Sequence, residues 1–162
     1  MTVRVLGIDP GTAVTGYGVV ESVEGQIGHL VECGVIRTDP NKRLWQRLDT
    51  LYDGVTELIE HHGPDVLALE GVFYAKNVRT TVVLGHARGV ILLAAAKAGV
   101  DVAEFAPATV KKSIVGTGRA AKAQVGYMVQ RLLNLKAAPS PDDAADGVAI
   151  ALTYLITGRV TA

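Results

Sequence analysis

The sequence has little of several features that mark common protein classes. Cysteine occurs once, at Cys33, so an internal disulfide is excluded and a reducing compartment is indicated. No charged N-terminal region is followed by a long apolar run, as a secretory signal would require. The most apolar stretch, residues 82–100, is interrupted by His86, Arg88 and Lys97, which argues against a membrane span. We therefore expect a cytoplasmic globular protein.

Two common kinds of catalytic or metal site are also missing. The four histidines and the lone cysteine do not cluster in a zinc-binding pattern. His61 and His62 stand together, but at the end of a helical pattern, where cationic side chains are favoured. No Ser-His-Asp or Cys-His arrangement suggests a nucleophilic enzyme. Any chemistry must therefore come from other residue types, and carboxylates are the candidates.

The zero net charge hides a separation along the chain. The 162 residues are enough for one domain with its own core, which we expect to span 1–162. Residues 1–70 carry five Lys/Arg and eleven Asp/Glu, whereas residues 71–141 carry ten Lys/Arg and two acids. A basic stretch of this kind suits a polyanionic partner. The alternative is that these basic residues are only solvated helix faces.

Hydrophobic periodicity predicts an α/β fold. Residues 65–70 are a continuous apolar run, which is typical of a parallel strand buried on both faces. The helix over 78–98 is apolar nearly all round, so it should be central or packed against another subunit. The predicted strands are 3–8, 16–23, 27–38, 65–70 and 100–105, and the predicted helices are 42–61, 78–98, one from Pro107, 120–134 and 142–157. This order indicates a mixed sheet with helices on both faces.

Four acidic residues stand where such a fold would expose them. Asp9 and Glu70 each end a buried strand, at the carboxyl edge where open α/β sheets bind ligands. Asp143 and Asp146 are three residues apart on a helix and so share one edge. Carboxylate oxygens are the ligands of Mg²⁺ and Mn²⁺, and two such ions can clamp an in-line phosphoryl displacement. The four acids therefore predict a metal centre for phosphodiester hydrolysis.

Each acid also has a structural interpretation. Asp9 opens an Asp-Pro-Gly turn, where aspartate is common without any function. Asp142 and Asp143 suit the first turn of a helix, because acids there complement the helix dipole. Glu70 is harder to explain in this way, since a buried unpaired acid would cost several kcal/mol. It needs a cation, a partner or the surface.

Five ordered motifs resemble the RuvC-type Holliday-junction resolvases, and together they cover essentially the whole chain. The matching segments are 7–11 with 15–18, 70–73 with 75–77, 85–90, 110–111 with 115–118 and 122–125, and 143–146 with 149–151. The resemblance implies an RNase H-like fold with a mixed five-stranded sheet. It also implies a homodimer, for which the helix over 78–98 is the candidate interface.

The resemblance further implies a function in homologous recombination and DNA repair. That function is Mg²⁺-dependent nicking of two opposed strands at a four-way DNA junction, with two ions per subunit and Mn²⁺ as a substitute. The implied catalytic and metal-binding residues are Asp9, Glu70, Asp143 and Asp146. A branch-migration complex of the RuvA and RuvB type is the implied protein partner. Asp142 directly precedes the last pair and competes with Asp143 for the role of ligand.

The DNA-binding candidates follow the second acidic motif. By the resemblance, Phe73 stacks on a base near the crossover, and Lys111 and Lys122 lie near the cleaved phosphate, Lys122 with a catalytic role. Basic residues beside Phe73 or around the loop 116–118 complete the set, namely Lys76, Arg79, Lys112 and Arg119. The alternatives are a core role for Phe73 and solvated surface positions for the basic residues.

Three rival functions are weighed against this one. An RNase H-like nuclease of the YqgF type would act on RNA, but the Phe73 region and the Asp143/Asp146 motif fit the resolvase better. An actin-like ATPase or sugar kinase needs two lobes, and 162 residues supply one. A junction-binding protein without activity would not need the complete set of acids.

Overall fold

The predicted order of elements is confirmed by a computed structural model, which describes residues 1–11, 13–71 and 77–157. The strands are β1 (Arg4–Asp9), β2 (Val14–Glu21), β3 (His29–Arg37), β4 (Val66–Glu70) and β5 (Asp101–Phe105). The helices are α1 (Leu44–His62), α2 (Val78–Ala98), α3 (Pro107–Val115), α4 (Lys122–Leu132) and α5 (Asp142–Thr157). Strand β2 begins and ends two residues before the predicted 16–23, because its pairing with β1 and β3 sets its ends.

The five strands form one mixed sheet in the order β3-β2-β1-β4-β5. Strands β1, β2 and β3 pair antiparallel, whereas β1 pairs with β4, and β4 with β5, in parallel. The prediction that 65–70 contains a parallel strand is therefore confirmed. Because β1 and β4 run in the same direction, their carboxyl ends lie side by side.

Helices cover both faces of the sheet, as predicted. On one face, buried residues of α3, α4 and α5 pack against Val5, Val20 and Ala68. On the other face, buried residues of α1 and α2 pack against Leu6 and Leu67. The sheet is thus enclosed, and its central strands carry the two cores.

Helix α5 lies unusually close to strands β1 and β2. A Cβ atom added at Gly147 would come within 2.5 Å of the Tyr17 Cα atom, and one added at Gly16 would meet the Asp143 carbonyl oxygen. Gly7 and Gly18 make similar approaches to the α5 backbone at Gly147 and Val148. Only residues without a side chain allow backbone to pack on backbone in this way.

Helix α2 is apolar, and much of it is exposed. Its length and hydropathy would allow it to cross a membrane, and 22% of its most apolar window is buried in the protein. One such helix is weak evidence for a membrane span. Its buried residues, among them Ala87 and Ile91, pack against the sheet. Arg88 forms an ion pair with Glu104 of β5 at 2.6 Å, a partner that the sequence did not reveal.

The close approach of α5 predicts a difference between two glycine substitutions in helices. Gly147→Ala should lower the free energy of unfolding by about 1–3 kcal/mol, as overpacking does, because the new methyl group meets backbone atoms of Tyr17. Gly126→Ala in α4 is the matched control, since nothing lies within 4 Å of its added Cβ. It should instead gain up to about 1 kcal/mol of helix propensity. Urea unfolding measures both, and equal stability of the two variants would contradict the close packing.

Candidate metal centre

The first two acids of the site meet at the carboxyl ends of β1 and β4. Ile8 is paired with Leu69 in the parallel register, so Asp9 and Glu70 follow at neighbouring positions on one edge of the sheet. Both residues are half-buried. Their carboxyl groups lie close enough to act on each other, so a shared proton or a bound cation would relieve their repulsion.

Helix α5 brings the other two acids to the same place. One carboxylate oxygen from each of Asp9, Asp143 and Asp146 lies within 4.8 Å of the others. Glu70 lies beside this group, since its charge acts on Asp9 and it lines one cleft with Asp146. Asp142 is exposed at the start of α5 and lies outside the group, so the geometry favours Asp143 over Asp142 as a ligand.

Crowding of the acids changes their protonation. Burial, and then the hydrogen bond and negative charge of Glu70, raise the pKa of Asp9 from 3.8 to about 9. Burial also raises the pKa of Asp146, although the ammonium group of Lys122 opposes the change. Without added positive charge, the site therefore holds a proton at neutral pH. A bound cation would take over that role.

Lys122 is the cationic side chain that contacts the acids. Its Nζ lies 3.1 Å from Asp146 and 4.0 Å from Asp143, and the side chain is 55% exposed. These acids raise the pKa of Lys122, so it stays charged at neutral pH. One ammonium cannot balance four carboxylates, and the donors are all hard oxygens. The residues present therefore fit Mg²⁺ or Mn²⁺.

The basic candidates divide into those beside the acids and those further away. Lys111 of α3 lines a cleft of about 190 Å³ together with Glu70, Lys122 and Asp146. Lys112 and Arg119 are exposed and do not line this cleft, and Arg79 is exposed in the first turn of α2. Phe73 and Lys76 lie outside the described residues.

The sequence did not indicate two features of the structure, one beside the acids and one on the other face of the sheet. Tyr127 of α4 borders a second cleft, which shares Lys122 and Asp146 with the metal centre. Tyr127 stands out because its ring is exposed, and helical periodicity in the sequence does not predict that exposure. His62, predicted only to end a helix, is buried there and lies 2.6 Å from Glu32 through its Nε2.

A larger cleft lies away from this chemistry. It measures about 860 Å³ between α1 and strands β2 and β3, and it is lined by acids such as Glu32, Asp53 and Glu57. Among the described residues, its acids and histidines do not gather as tightly as the three aspartates do. The volume of a cleft therefore does not identify the functional site, whereas the convergence of the carboxylates does.

The fold and the acidic edge define an RNase H-like protein with a candidate metal centre. The sequence profile of the family described as crossover junction endodeoxyribonuclease RuvC matches residues 5–154. The chain belongs to the RuvC family.

Individual relatives agree with this assignment. The chain is 47% identical to the crossover junction endodeoxyribonuclease RuvC of Pelotomaculum thermopropionicum, over 93% of the chain and 91% of that relative. It is 50% identical to the protein of the same name from Halorhodospira halophila, over 93% and 89%. The structure of Thermus thermophilus RuvC in complex with a Holliday junction substrate superposes with a TM-score of 0.90, at 37% identity, over 97% of this chain and 95% of that one.

The raised pKa of Asp9 predicts that Asp9→Asn stabilises the metal-free protein. Between pH 4 and about 9 the folded protein keeps a proton that the unfolded chain has lost, so the stability of the wild type should fall as the pH rises. Asparagine does not titrate, so the stability of the Asp9→Asn variant should not fall with pH for this reason. At pH 8 it should gain at least about 1 kcal/mol, or ~2–4 °C in melting temperature.

Thermal unfolding in chelator at pH 4.5 and pH 8 measures the effect. Asp142→Asn is the matched control, because Asp142 is exposed beside the same site. The same pH dependence in Asp9→Asn and the wild type would show that Asp9 is not the group that carries it.

Proposed function

We propose that this protein is a metal-dependent endodeoxyribonuclease that resolves four-way DNA junctions in recombination and repair by nicking two opposed strands. The observation that carries the proposal is the meeting of Asp9, Glu70, Asp143 and Asp146 in a chain of the RuvC family. These acids come from two strands and a helix, and their mutual repulsion has no structural benefit. Relatives of similar length are named as crossover junction endodeoxyribonucleases.

The four acids would hold Mg²⁺, or Mn²⁺ in its place, as two ions per subunit. When bound, such ions supply positive charge for the phosphoryl transition state and activate water for attack. The protein's own groups position the DNA strand. Lys122 and Lys111 line the cleft beside the acids, where their ammonium groups can reach the phosphate to be cut.

The remaining basic candidates would hold the arms of the junction. Arg79, Lys112 and Arg119 are exposed and free to contact phosphates outside the cleft. Phe73 and Lys76 stay proposals from the resemblance alone. We propose further that the protein acts in the cytoplasm and works with a branch-migration complex of the RuvA and RuvB type. Family membership does not favour the RNA-directed YqgF alternative.

We also propose a single nuclease domain that acts as a homodimer, since two cuts need two sites. Val82, Gly85, Gly89 and Leu93 of α2 line a shallow apolar groove, which Leu48 of α1 completes. Val82 and Leu93 are about half exposed, at 51% and 50%. An exposed apolar helix face of this kind is typical of a subunit interface.

Cleavage of a synthetic four-way junction tests the function. The wild type with Mg²⁺ should cut the junction in preference to linear duplex DNA and RNA–DNA hybrid. Asp9→Asn should abolish nicking while junction binding is retained, because the change removes a metal ligand and not a DNA contact. Asp142→Asn should cut normally, since Asp142 lies outside the acid group. Calorimetric titration with Mn²⁺ gives a readout that does not depend on activity, and binding should be weakened only in Asp9→Asn.

Two results would contradict this proposal. Retained cleavage by Asp9→Asn would exclude the proposed metal centre. Binding of the junction without cleavage by the wild type, at any Mg²⁺ or Mn²⁺ concentration, would favour a junction-binding protein.

Sedimentation tests the proposed dimer. The wild type should be a dimer at micromolar concentration, and Leu93→Glu should be a folded monomer, because a charge would be buried in the apolar interface. Val23→Glu is the matched control, as Val23 is an exposed apolar residue far along the chain from α2. A wild-type monomer, or dissociation in both variants, would exclude α2 as the interface.

A further inference from the structure

We infer that the cleft bordered by Tyr127 is a nucleotide subsite, which holds the base and sugar of a nucleotide next to the phosphate that is cut. The inference rests on the proposed function and adds a binding site to it. The cleft measures about 380 Å³, within the range of ligand sites of about 300–1,000 Å³. Its ligand is part of the cleaved DNA strand itself.

Position is the first argument. Lys122 and Asp146 line this cleft on one side and the cleft with Glu70 and Lys111 on the other. A strand whose phosphate lies at the metal centre can continue past these two residues. The Tyr127 cleft adjoins the candidate metal centre across them, so a neighbouring nucleotide can enter it.

The exposed ring of Tyr127 is the second argument. Tyr127 is 57% exposed on α4, and among the described aromatic residues only Trp45 is more exposed, on a helix that covers the other face of the sheet. An exposed aromatic ring beside a site for single DNA strands is a stacking surface. Each stacked base contributes about 1–3 kcal/mol and places little demand on base identity.

Beside Tyr127, the cleft is lined largely by small residues. Ala123 and Gly126 of α4 and Ala138 of the following linker line it. Glycine inside a helix costs about 1 kcal/mol relative to alanine. At Gly126 no neighbouring atom lies within 4 Å of an added Cβ, so protein packing does not require the glycine. The space is instead available to a planar group beside Tyr127.

Charge decides which part of the nucleotide enters. The charged residues that line this cleft are Lys122, Asp146 and Asp142. Lys122 is already paired with Asp146, and Asp142 is exposed at the rim. A phosphate would be repelled by the two carboxylates, whereas a neutral base and sugar would not. The cleft therefore fits the base and sugar, and leaves the phosphate at the metal centre.

Two pairs of variants test the subsite. Tyr127→Ala should lower kcat/KM for junction cleavage by about 5- to 150-fold, the equivalent of one stacked base, and Tyr127→Phe should stay within a factor of about two because it keeps the ring. Gly126→Leu should inhibit cleavage by filling the cleft, and Gly126→Ala should inhibit it less, because a methyl group fills less of the same space. Affinity for Mn²⁺ should not change in any of them, because none of these residues is a metal ligand.

Fluorescence of 2-aminopurine gives a direct readout. The probe is placed in turn at the two nucleotides that flank the cut, and the Asp9→Asn background prevents cleavage during the measurement. At one of these positions fluorescence should be quenched on binding when Tyr127 or Phe is present, and not when Ala is present. The probe at a distant arm should show no difference.

The inference fails if the wild type cuts junctions and Tyr127→Ala cuts them equally well, or if quenching at both flanking positions is the same without the ring. An equal loss in Tyr127→Phe would assign the effect to the hydroxyl and exclude stacking. Failure of the wild type to cut any junction would instead refute the proposed function, so the two failures are distinguishable.

Discussion

The contact between helix α5 and strands β1 and β2 is the constraint on which the rest of the structure depends. Gly16 is the register partner of Asp9 on the neighbouring strand, and it also packs on the backbone of Asp143. One residue without a side chain thus fixes the distance between a strand-borne acid and a helix-borne acid. Gly147 makes the reciprocal contact with Tyr17 one residue after Asp146. The separation of the carboxylates is therefore set by backbone packing, which does not relax as flexible side chains do.

This packing holds four carboxyl groups close together, an arrangement that is unfavourable by itself. Burial, and then the neighbouring carboxyl groups, raise the pKa of Asp9 to about 9, so ionising all four half-buried acids together is unfavourable. The buried residues of α5, from Ala144 to Thr153, supply the opposing stabilisation through the core. Stability lost at a functional site and regained elsewhere is the usual pattern in enzymes. A cation that binds the acids would therefore stabilise the fold as well as enable chemistry.

Much of the fold could be predicted because hydrophobic periodicity is a local property. The continuous apolar run before Glu70 indicated a parallel strand, and direct pairing of that strand with β1 then places Glu70 beside Asp9. Contacts that depend on three-dimensional packing were not predictable. The choice between Asp142 and Asp143 depends on the rotation of α5, which Gly16 and Gly147 fix.

Other contacts are not predicted by any pattern in the sequence. The pairing of Arg88 with Glu104 joins α2 to β5, and the contact of His62 with Glu32 joins α1 to β3. Tyr127 was overlooked because its exposure follows from where α4 lies, and not from its neighbours in the chain. Sequence patterns thus indicate which chemistry is available, and packing decides which groups can use it.

Part of the charge separation along the chain becomes a separation between helix α1 and helices α3 and α4, which lie on opposite sides of the sheet. Exposed acids of α1, such as Asp53, Glu57 and Glu60, lie on one side of the sheet. Lys111, Lys112 and Lys122 are on α3 and α4, which cover the other side. A polyanion is repelled by the acids of α1 and attracted to the lysines of α3 and α4, which favours its approach to the acids of the metal centre from the side of α3 and α4. The acids themselves would repel it, and this repulsion ends only when cations are bound. Metal binding and DNA binding at a site of this charge should therefore favour each other.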